Sequence, residues 1–287
     1  MTFTADGEYL ISGTTRGVQV WRVKDGKRMA TLPVGWGSQC VAASQNGRWI
    51  AGGSNGGDVL VWDATTYKRV FADNVGSTSI KNVDFSPDST RLVSATGQST
   101  APIWDIAARQ KVRTLDHDGL VIAAKYSPQG DRIATATDES VRIWDSKDGR
   151  VLVNVKVQAK GCRSLPWCNN HLFVQTNDGK IKQIDAADGS TVSEWSASRA
   201  PWPCIALPQH GKFVACSAEK AITVWDATTH ARLSSIPHTD DISSFAFSGD
   251  HSLLAIAPVG PTIIVKKLFQ SVSVRAMSCL QSIVSIS

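Results

Sequence analysis

The sequence lacks the residue patterns that usually give a chain a chemical activity. None of its six cysteines forms a Cys-x-x-Cys pair, and their spacing matches no disulfide framework or zinc site. No Gly-x-Ser-x-Gly elbow, phosphate-binding loop or Gly-x-Gly-x-x-Gly fingerprint occurs in a strand-to-helix setting. The six histidines are spread along the chain, so that no three converge on a metal. We therefore predict a protein that is not an enzyme and that holds no metal and no cofactor.

Charge and long apolar runs are also scarce. Charged residues make up 19% of the chain and the net charge is +5, whereas a nucleic-acid-binding protein normally carries a denser basic stripe. No apolar run approaches the length of a membrane span, and Met1 leads into Thr-Phe-Thr-Ala-Asp-Gly, without the basic start and apolar stretch of a signal peptide. We expect a cytoplasmic monomer, with a nuclear location as the alternative, that binds neither membrane nor nucleic acid.

What the chain does have is a repeat. The pairs Trp62-Asp63, Trp104-Asp105, Trp144-Asp145 and Trp225-Asp226 each close a short β-branched segment, and degenerate copies fill the gaps between them. The anchors are Trp21, Trp62, Trp104, Trp144, Ile184, Trp225 and Lys266, in steps of 41, 42, 40, 40, 41 and 41 residues. A fixed period of this length is typical of a four-stranded propeller blade.

Each period contains four strand-like segments. In one of them the first segment and its turn span residues 123–130, and the other segments are 132–137, 140–144 and 150–155. We call the four segments strands a to d, and turn-forming residues bound each of them. Helix-period patterning is absent. The prediction is an all-β, seven-bladed β-propeller of four-stranded antiparallel blades over residues 1–276. We expect the closing strand at Ser271–Ala276 and a C-terminal tail at 277–287.

The Trp-Asp endings, the Ser-Pro-Asp and Ser-Pro-Gln turns and the period make the chain resemble the WD-repeat (WD40) family. The family pattern includes a hydrogen-bonded tetrad in each blade, and the resemblance implies one complete tetrad here, formed by His117, Thr135 or Thr137, Asp138 and Trp144. A narrower resemblance, to the WD-repeat arrays of fungal NACHT-type signalling proteins, rests on the repeated Trp-Asp-Ala-Thr-Thr.

The resemblance implies that the loops preceding strand a surround one mouth of the central channel. Two tryptophans outside the Trp-Asp positions and three basic residues occupy these loops, and Trp and Arg are common at binding hot spots. The candidates are Trp36, Lys160, Arg163, Arg199 and Trp202. We predict a protein-interaction scaffold that binds a peptide or protein there. The alternatives are a sensor module of a larger signalling protein and a binder of small molecules or glycans at the channel mouth.

Overall fold

The computed structural model describes residues 1–159, 164–197, 204–207, 211–218, 220–260, 262–270 and 277–286, with the backbone alone for 269–270 and 277–286. Within these ranges every regular element is a β-strand, and the strands form seven four-stranded antiparallel sheets. The predicted seven-bladed β-propeller is confirmed.

The first four blades follow the chain without interruption. Blade 1 contains β1 (Thr2–Phe3), β2 (Tyr9–Thr14), β3 (Gly17–Arg22) and β4 (Arg28–Leu32). Blade 2 contains β5 (Ser38–Ala43), β6 (Trp49–Ser54), β7 (Asp58–Asp63) and β8 (Arg69–Asn74). Blade 3 contains β9 (Asn82–Phe85), β10 (Arg91–Ala95), β11 (Thr100–Asp105) and β12 (Gln110–Asp116). Blade 4 contains β13 (Ala123–Tyr126), β14 (Arg132–Ala136), β15 (Ser140–Asp145) and β16 (Val151–Lys156).

The remaining three blades have the same strand order. Blade 5 contains β17 (Trp167–Cys168), β18 (His171–Gln175), β19 (Lys180–Asp185) and β20 (Thr191–Ser196). Blade 6 contains β21 (Ile205–Ala206), β22 (Phe213–Ala218), β23 (Ala221–Asp226) and β24 (Arg232–Pro237). Blade 7 contains β25 (Ile242–Phe247), β26 (Leu253–Pro258), β27 (Ile263–Gln270) and β28 (Met277–Ile286).

The last strand differs from the expectation. The outermost strand of blade 7 is β28, which lies within the expected C-terminal tail, and it pairs antiparallel with β27. Ser271–Ala276, the expected closing strand, lies outside the described residues. The expected boundary at residue 276 therefore falls immediately before the strand that completes blade 7.

The core lies between neighbouring blades. Strand β7 buries four successive residues, Val59, Leu60, Val61 and Trp62, because a neighbouring blade covers each of its faces. The outer strand β8 is half exposed, as expected for an edge. Phe3 and Trp21 of blade 1 pack in one cluster with Ala255 and Val265 of blade 7. This contact closes the ring.

The outer edge carries the same irregularity in every blade. Between the third and fourth strands, the pairing register shifts at the residue pair that ends on the anchor, from Val20/Trp21 in blade 1 to Val265/Lys266 in blade 7. Such bulges twist an edge strand away from a flat conformation and oppose pairing with another chain. The charged residues of these outer strands, such as Arg69 and Arg113, have the same effect.

Candidate functional site

The propeller has two faces that differ in the loops that form them. Because the strands alternate in direction, the turns between strands b and c and the loops that precede strand a lie at one end of each blade. We call this end the upper face. The turns between a and b and between c and d lie at the other end, the lower face. The predicted site belongs to the upper face.

Trp36 is the most exposed large hydrophobic side chain among the described residues, at 72%. It lies in the loop between β4 and β5. Asn55 holds this loop in place, because its side-chain amide donates to the Trp36 carbonyl at 3.1 Å and its backbone N–H donates to the Gly37 carbonyl at 3.2 Å. The indole lies so close to Gly56 that an added Cβ would collide with it. Trp36 is therefore an exposed ring held against the turn of blade 2.

Two further exposed side chains share this face. Leu120, in the loop before β13, is 60% exposed, and Val259, in the turn between β26 and β27, is 59% exposed. The other exposed large hydrophobic side chains among the described residues lie on outer strands: Met29, Val112, Val151, Leu152 and Val192. The three most exposed ones thus project from the upper face.

The other predicted binding residues, Lys160, Arg163, Arg199 and Trp202, lie outside the described residues. They fall in the loops that precede β17 and β21. Their role in binding stays a prediction from the sequence.

Part of the expected tetrad is joined by a hydrogen bond. The Trp144 indole N–H donates to the Thr135 hydroxyl at 2.7 Å, and both residues are buried. His117 packs edge-on against Trp144, with ring centroids 5.1 Å apart, but neither of its ring nitrogens has a hydrogen-bond partner among the described residues. No hydrogen bond therefore joins His117 to Asp138. The contact of His117 with this blade is one of packing.

The Asp residues that follow the anchors bind their own turns. Asp63 accepts the backbone N–H groups of Thr65 and Thr66 at 3.1 and 2.7 Å, and Asp145 accepts those of Lys147 and Asp148 at 2.8 and 3.1 Å. These bonds lower the pKa of both carboxyl groups. The carboxylates are thus turn-forming groups and do not form a catalytic ring, as the position of Asp at a strand end predicts.

The cysteines with described side chains are Cys40, Cys168, Cys204 and Cys216, and none of them is bonded to another in a disulfide. Cys168 and Cys216 are buried, and burial raises the pKa of both thiols. A thiol reacts as its thiolate, so both are poor nucleophiles at neutral pH.

We expect iodoacetamide at pH 7.5 to label Cys216 only after unfolding, because its side chain is fully buried and its pKa is raised. Peptide mass spectrometry of samples labelled with and without urea gives the measurement, with half-buried Cys40 as the internal comparison. Labelling of Cys216 in the folded protein as fast as a free thiol would contradict its placement in the core.

Two features are absent from the described residues. No group of three or more His, Cys, Asp or Glu side chains there could hold a metal ion. In the same part of the chain, no helix is long and apolar enough to cross a membrane.

A cross-blade contact that sequence reasoning missed joins the innermost strands. Asp84 of β9 is 8% exposed and accepts a hydrogen bond from the Lys125 ammonium of β13 at 2.5 Å and one from the Tyr126 backbone N–H at 2.9 Å. Asn82 accepts one from the Ala124 backbone N–H at 3.2 Å. The sequence does contain a feature that indicates this contact, because Asp84 and Lys125 are charged residues in apolar strands and occupy the same position of successive repeats.

Two family models match parts of the chain. The model described as WD domain, G-beta repeat matches residues 27–63 and 67–105, each ending on a Trp-Asp pair. A second model, described as Outer membrane protein assembly factor BamB, matches residues 89–209. This range contains the anchors Trp104 and Trp144 and also Ile184, which stands where the next anchor tryptophan would be.

Curated relatives match longer stretches. The chain is 28% identical over 159 residues to Small ribosomal subunit protein RACK1y of Oryza sativa subsp. japonica, covering 52% of this chain and 47% of that protein. It is 36% identical over 161 residues to WD repeat-containing protein 1 of Gallus gallus, covering 52% and 26%. It is 22% identical over 262 residues to the Guanine nucleotide-binding protein subunit beta of Schizosaccharomyces pombe, covering 74% and 86%.

The match thus spans about half of the rice protein and about a quarter of the chicken protein. None of these names bears on the narrower resemblance to NACHT-type arrays, which stays a prediction. The recurring Trp-Asp anchors, the seven four-stranded blades and the matches to WD-repeat sequences agree on one conclusion. The chain is thus a seven-bladed β-propeller whose residues 27–63 and 67–105 match the WD-repeat (WD40) family.

Proposed function

We propose that the chain is a non-catalytic interaction scaffold that binds a peptide or protein partner on its upper face. The observation that carries this proposal is the exposed position of Trp36, together with Leu120 and Val259, on that one face. Exposed apolar side chains gathered on one surface are typical of protein-binding sites. WD-repeat propellers are typically interaction scaffolds, which supports a binding role over a catalytic one.

The setting of Trp36 suits a binding residue. Asn55 fixes the backbone on both sides of it, and the Gly56 backbone supports one side of the ring, so that little conformational entropy is lost when a partner covers the other side. A tryptophan in a fixed position offers a large contact area, and tryptophan is enriched among residues that dominate binding energy. Trp36 is therefore the residue on which we expect affinity to depend most.

We extend the proposed surface to Lys160, Arg163, Arg199 and Trp202 because their positions in the sequence fall in loops that precede the first strand of a blade. Loops that precede strand a share the upper face in every blade, and rigid blades that display loops of different sequence form a natural docking platform. These four residues carry three positive charges and one further indole. A partner segment with acidic and apolar residues matches this composition.

The test begins with a partner retained from native cell extract by the wild-type chain and then purified. Trp36→Ala is expected to weaken its binding by about 2 kcal/mol or more, which corresponds to a loss of about thirtyfold or more in affinity. Gly56→Ala should also weaken binding, because its new Cβ displaces the Trp36 ring without removing it. Isothermal titration calorimetry measures both changes.

Gly260→Ala is the matched control, since it lies in a turn of the same face and its added Cβ meets no atom within 4 Å. It should bind as the wild type does. Thermal melting of all three variants should stay close to that of the wild type, because Trp36 is exposed. If Trp36→Ala binds normally, or if it binds poorly because it has lost its fold, the proposal fails.

A further inference from the structure

Two cavities lie side by side on the lower face, away from the surface proposed above. The first, of about 260 Å³, lies between the turn of residues 86–91 in blade 3 and Tyr126 of blade 4; we call it the Tyr126 cavity. The second, of about 250 Å³, lies between the turn of residues 127–132 in blade 4 and Trp167 of blade 5; we call it the Trp167 cavity. Gln129 lines both, so the two cavities are neighbours.

The two cavities occupy equivalent positions in successive repeats. Arg91 and Arg132 are 41 residues apart and start the second strands of blades 3 and 4, and Tyr126 and Trp167 are also 41 residues apart. The turn between the first and second strands of a blade requires neither an arginine at the first of these positions nor a tyrosine or tryptophan at the second. The positions equivalent to Arg91 in blades 1, 2 and 7 are Tyr9, Trp49 and Leu253, and those equivalent to Tyr126 in blades 1, 3 and 7 are Phe3, Phe85 and Phe247.

Each cavity is lined by a residue with an unpaired polar group. Tyr126 is only 4% exposed, and its hydroxyl has no hydrogen-bond partner among the described residues. The indole Nε1 of Trp167 is buried and likewise has no partner in that part of the chain. Buried polar groups in folded proteins nearly always have a partner, and exceptions call for an explanation. Burial raises the pKa of the Tyr126 hydroxyl, so that it keeps its proton and can donate.

The charges around the Tyr126 cavity favour an anion. Arg91 and Lys147 both line it, and neither forms an ion pair with a carboxylate of the described residues. Asp88 also lines it, but the Ser86 hydroxyl and the Thr90 backbone N–H and hydroxyl already donate to one of its oxygens. The lining therefore keeps a net positive charge and three donor groups.

The Trp167 cavity has a different character. Its arginine, Arg132, donates to the Ala186 carbonyl at 2.7 Å and so forms part of the wall. The Trp167 N–H and the side chains of Gln129 and Asn169 line the rest of it. Asp131 also lines it, and its carboxylate lies 3.8 Å from Arg132 Nε, so that these two charges offset each other. The remaining hydrogen-bonding groups are neutral, which suits a peptide group better than a second charge.

We propose that the Tyr126 cavity binds the carboxylate of an aspartate or glutamate side chain in a partner segment, while the Trp167 cavity binds a neighbouring peptide carbonyl of the same segment. Arg91 and Lys147 pair with the carboxylate, Tyr126 donates its hydroxyl proton to it, and Trp167 donates to the carbonyl. A small free anion fills only the first cavity, whereas an extended acidic peptide occupies both. This is a second site, independent of the upper face.

To test this proposal, linear peptides are selected from a phage-displayed library by their binding to the immobilised wild-type chain. Their affinities are then measured by fluorescence polarisation. We expect the selected peptides to contain an Asp or Glu. Changing that residue to Asn or Gln should weaken binding at least tenfold. Arg91→Gln and Tyr126→Phe should each weaken the same peptides by about tenfold or more, as for hydrogen bonds to charged groups. Trp36→Ala, on the opposite face, should bind them as the wild type does.

Tyr126→Phe also distinguishes a binding role from a structural one. Phenylalanine already stands at this position in other blades, so the variant should melt no lower than the wild type. A clear drop in its melting temperature would show that the hydroxyl bonds within the protein. That drop, unaltered affinity of the acidic peptides for Tyr126→Phe, or a selection that yields no acidic peptides would each overturn the proposal. Peptides that lose affinity only with Trp36→Ala report on the upper face instead.

Discussion

Replacing Asp84 by alanine is expected to lower the free energy of unfolding by about 3 kcal/mol. The carboxylate of this residue links blades 3 and 4 at their innermost strands, through the Lys125 ammonium and the Tyr126 backbone N–H. Burial raises the pKa of the Asp84 carboxyl and the Lys125 charge opposes this effect. Breaking a buried ion pair costs about 3–5 kcal/mol, and we place this one at the low end because the Lys125 side chain is 45% exposed and can turn to water.

Urea denaturation of three variants measures this effect. Asp84→Asn keeps an acceptor for the Tyr126 N–H, as Asn82 does for Ala124, so it should lose less stability than Asp84→Ala. Asp25→Ala removes the exposed pair with Arg22 and should leave the unfolding midpoint nearly unchanged. If Asp84→Ala behaves like Asp25→Ala, the cross-blade link contributes nothing to stability.

Acidification from pH 7 to 4.5 is expected to cost about 2 kcal/mol of stability through His117 alone. Burial, and then the charge of Arg142, lower the pKa of His117 from 6.5 to about 4, while Asp118 opposes the shift. Between these two values the unfolded chain binds a proton that the folded chain does not bind. Stability from this group is therefore fully present above pH 6.5 and falls as the pH drops towards 4.

His117→Phe isolates this contribution, since it keeps a ring against Trp144 and removes the titrating group. The stability difference between wild type and variant should shift in favour of the variant as the pH falls, which denaturation series at several pH values will show. If His117 were part of the complete hydrogen-bonded tetrad of the family, the stability difference would change with pH in the opposite direction. A carboxylate bonded to His117 stabilises the imidazolium, so that the wild type gains on the variant in acid. A difference that stays constant with pH contradicts the lowered pKa.

The period and the anchors were sufficient to predict the fold. A repeat of about 41 residues with four strand-like segments leaves little choice other than a propeller, and each Trp-Asp anchor lies at the end of a third strand. The last strand was harder to place because no further repeat follows it. Arg69 starts its strand seven residues after Trp62, whereas Met277 starts β28 eleven residues after Lys266, so the spacing of the other blades favours an earlier segment than β28.

The candidate site was predictable in position but not in detail. The loop of Trp36 follows from the strand order, yet its exposure depends on Gly56 and Asn55, which lie about 20 residues later in the next blade. The unpaired state of His117 could not be predicted from residue types that match a tetrad. The Tyr126 and Trp167 cavities arise where turns of different blades meet, and a sequence pattern does not show the space between them.

Hydrogen exchange on the chain alone and with its captured partner tests the proposed binding face most directly. We expect slower exchange in residues 33–37, 54–58 and 117–122, the loops and turn that carry or support Trp36 and Leu120. Exchange in the turns of residues 86–91 and 127–132 on the lower face should stay unchanged with that partner. Protection confined to the lower face or to the outer strands, with the Trp36 loop exchanging as before, contradicts the assignment of the upper face as the partner-binding surface.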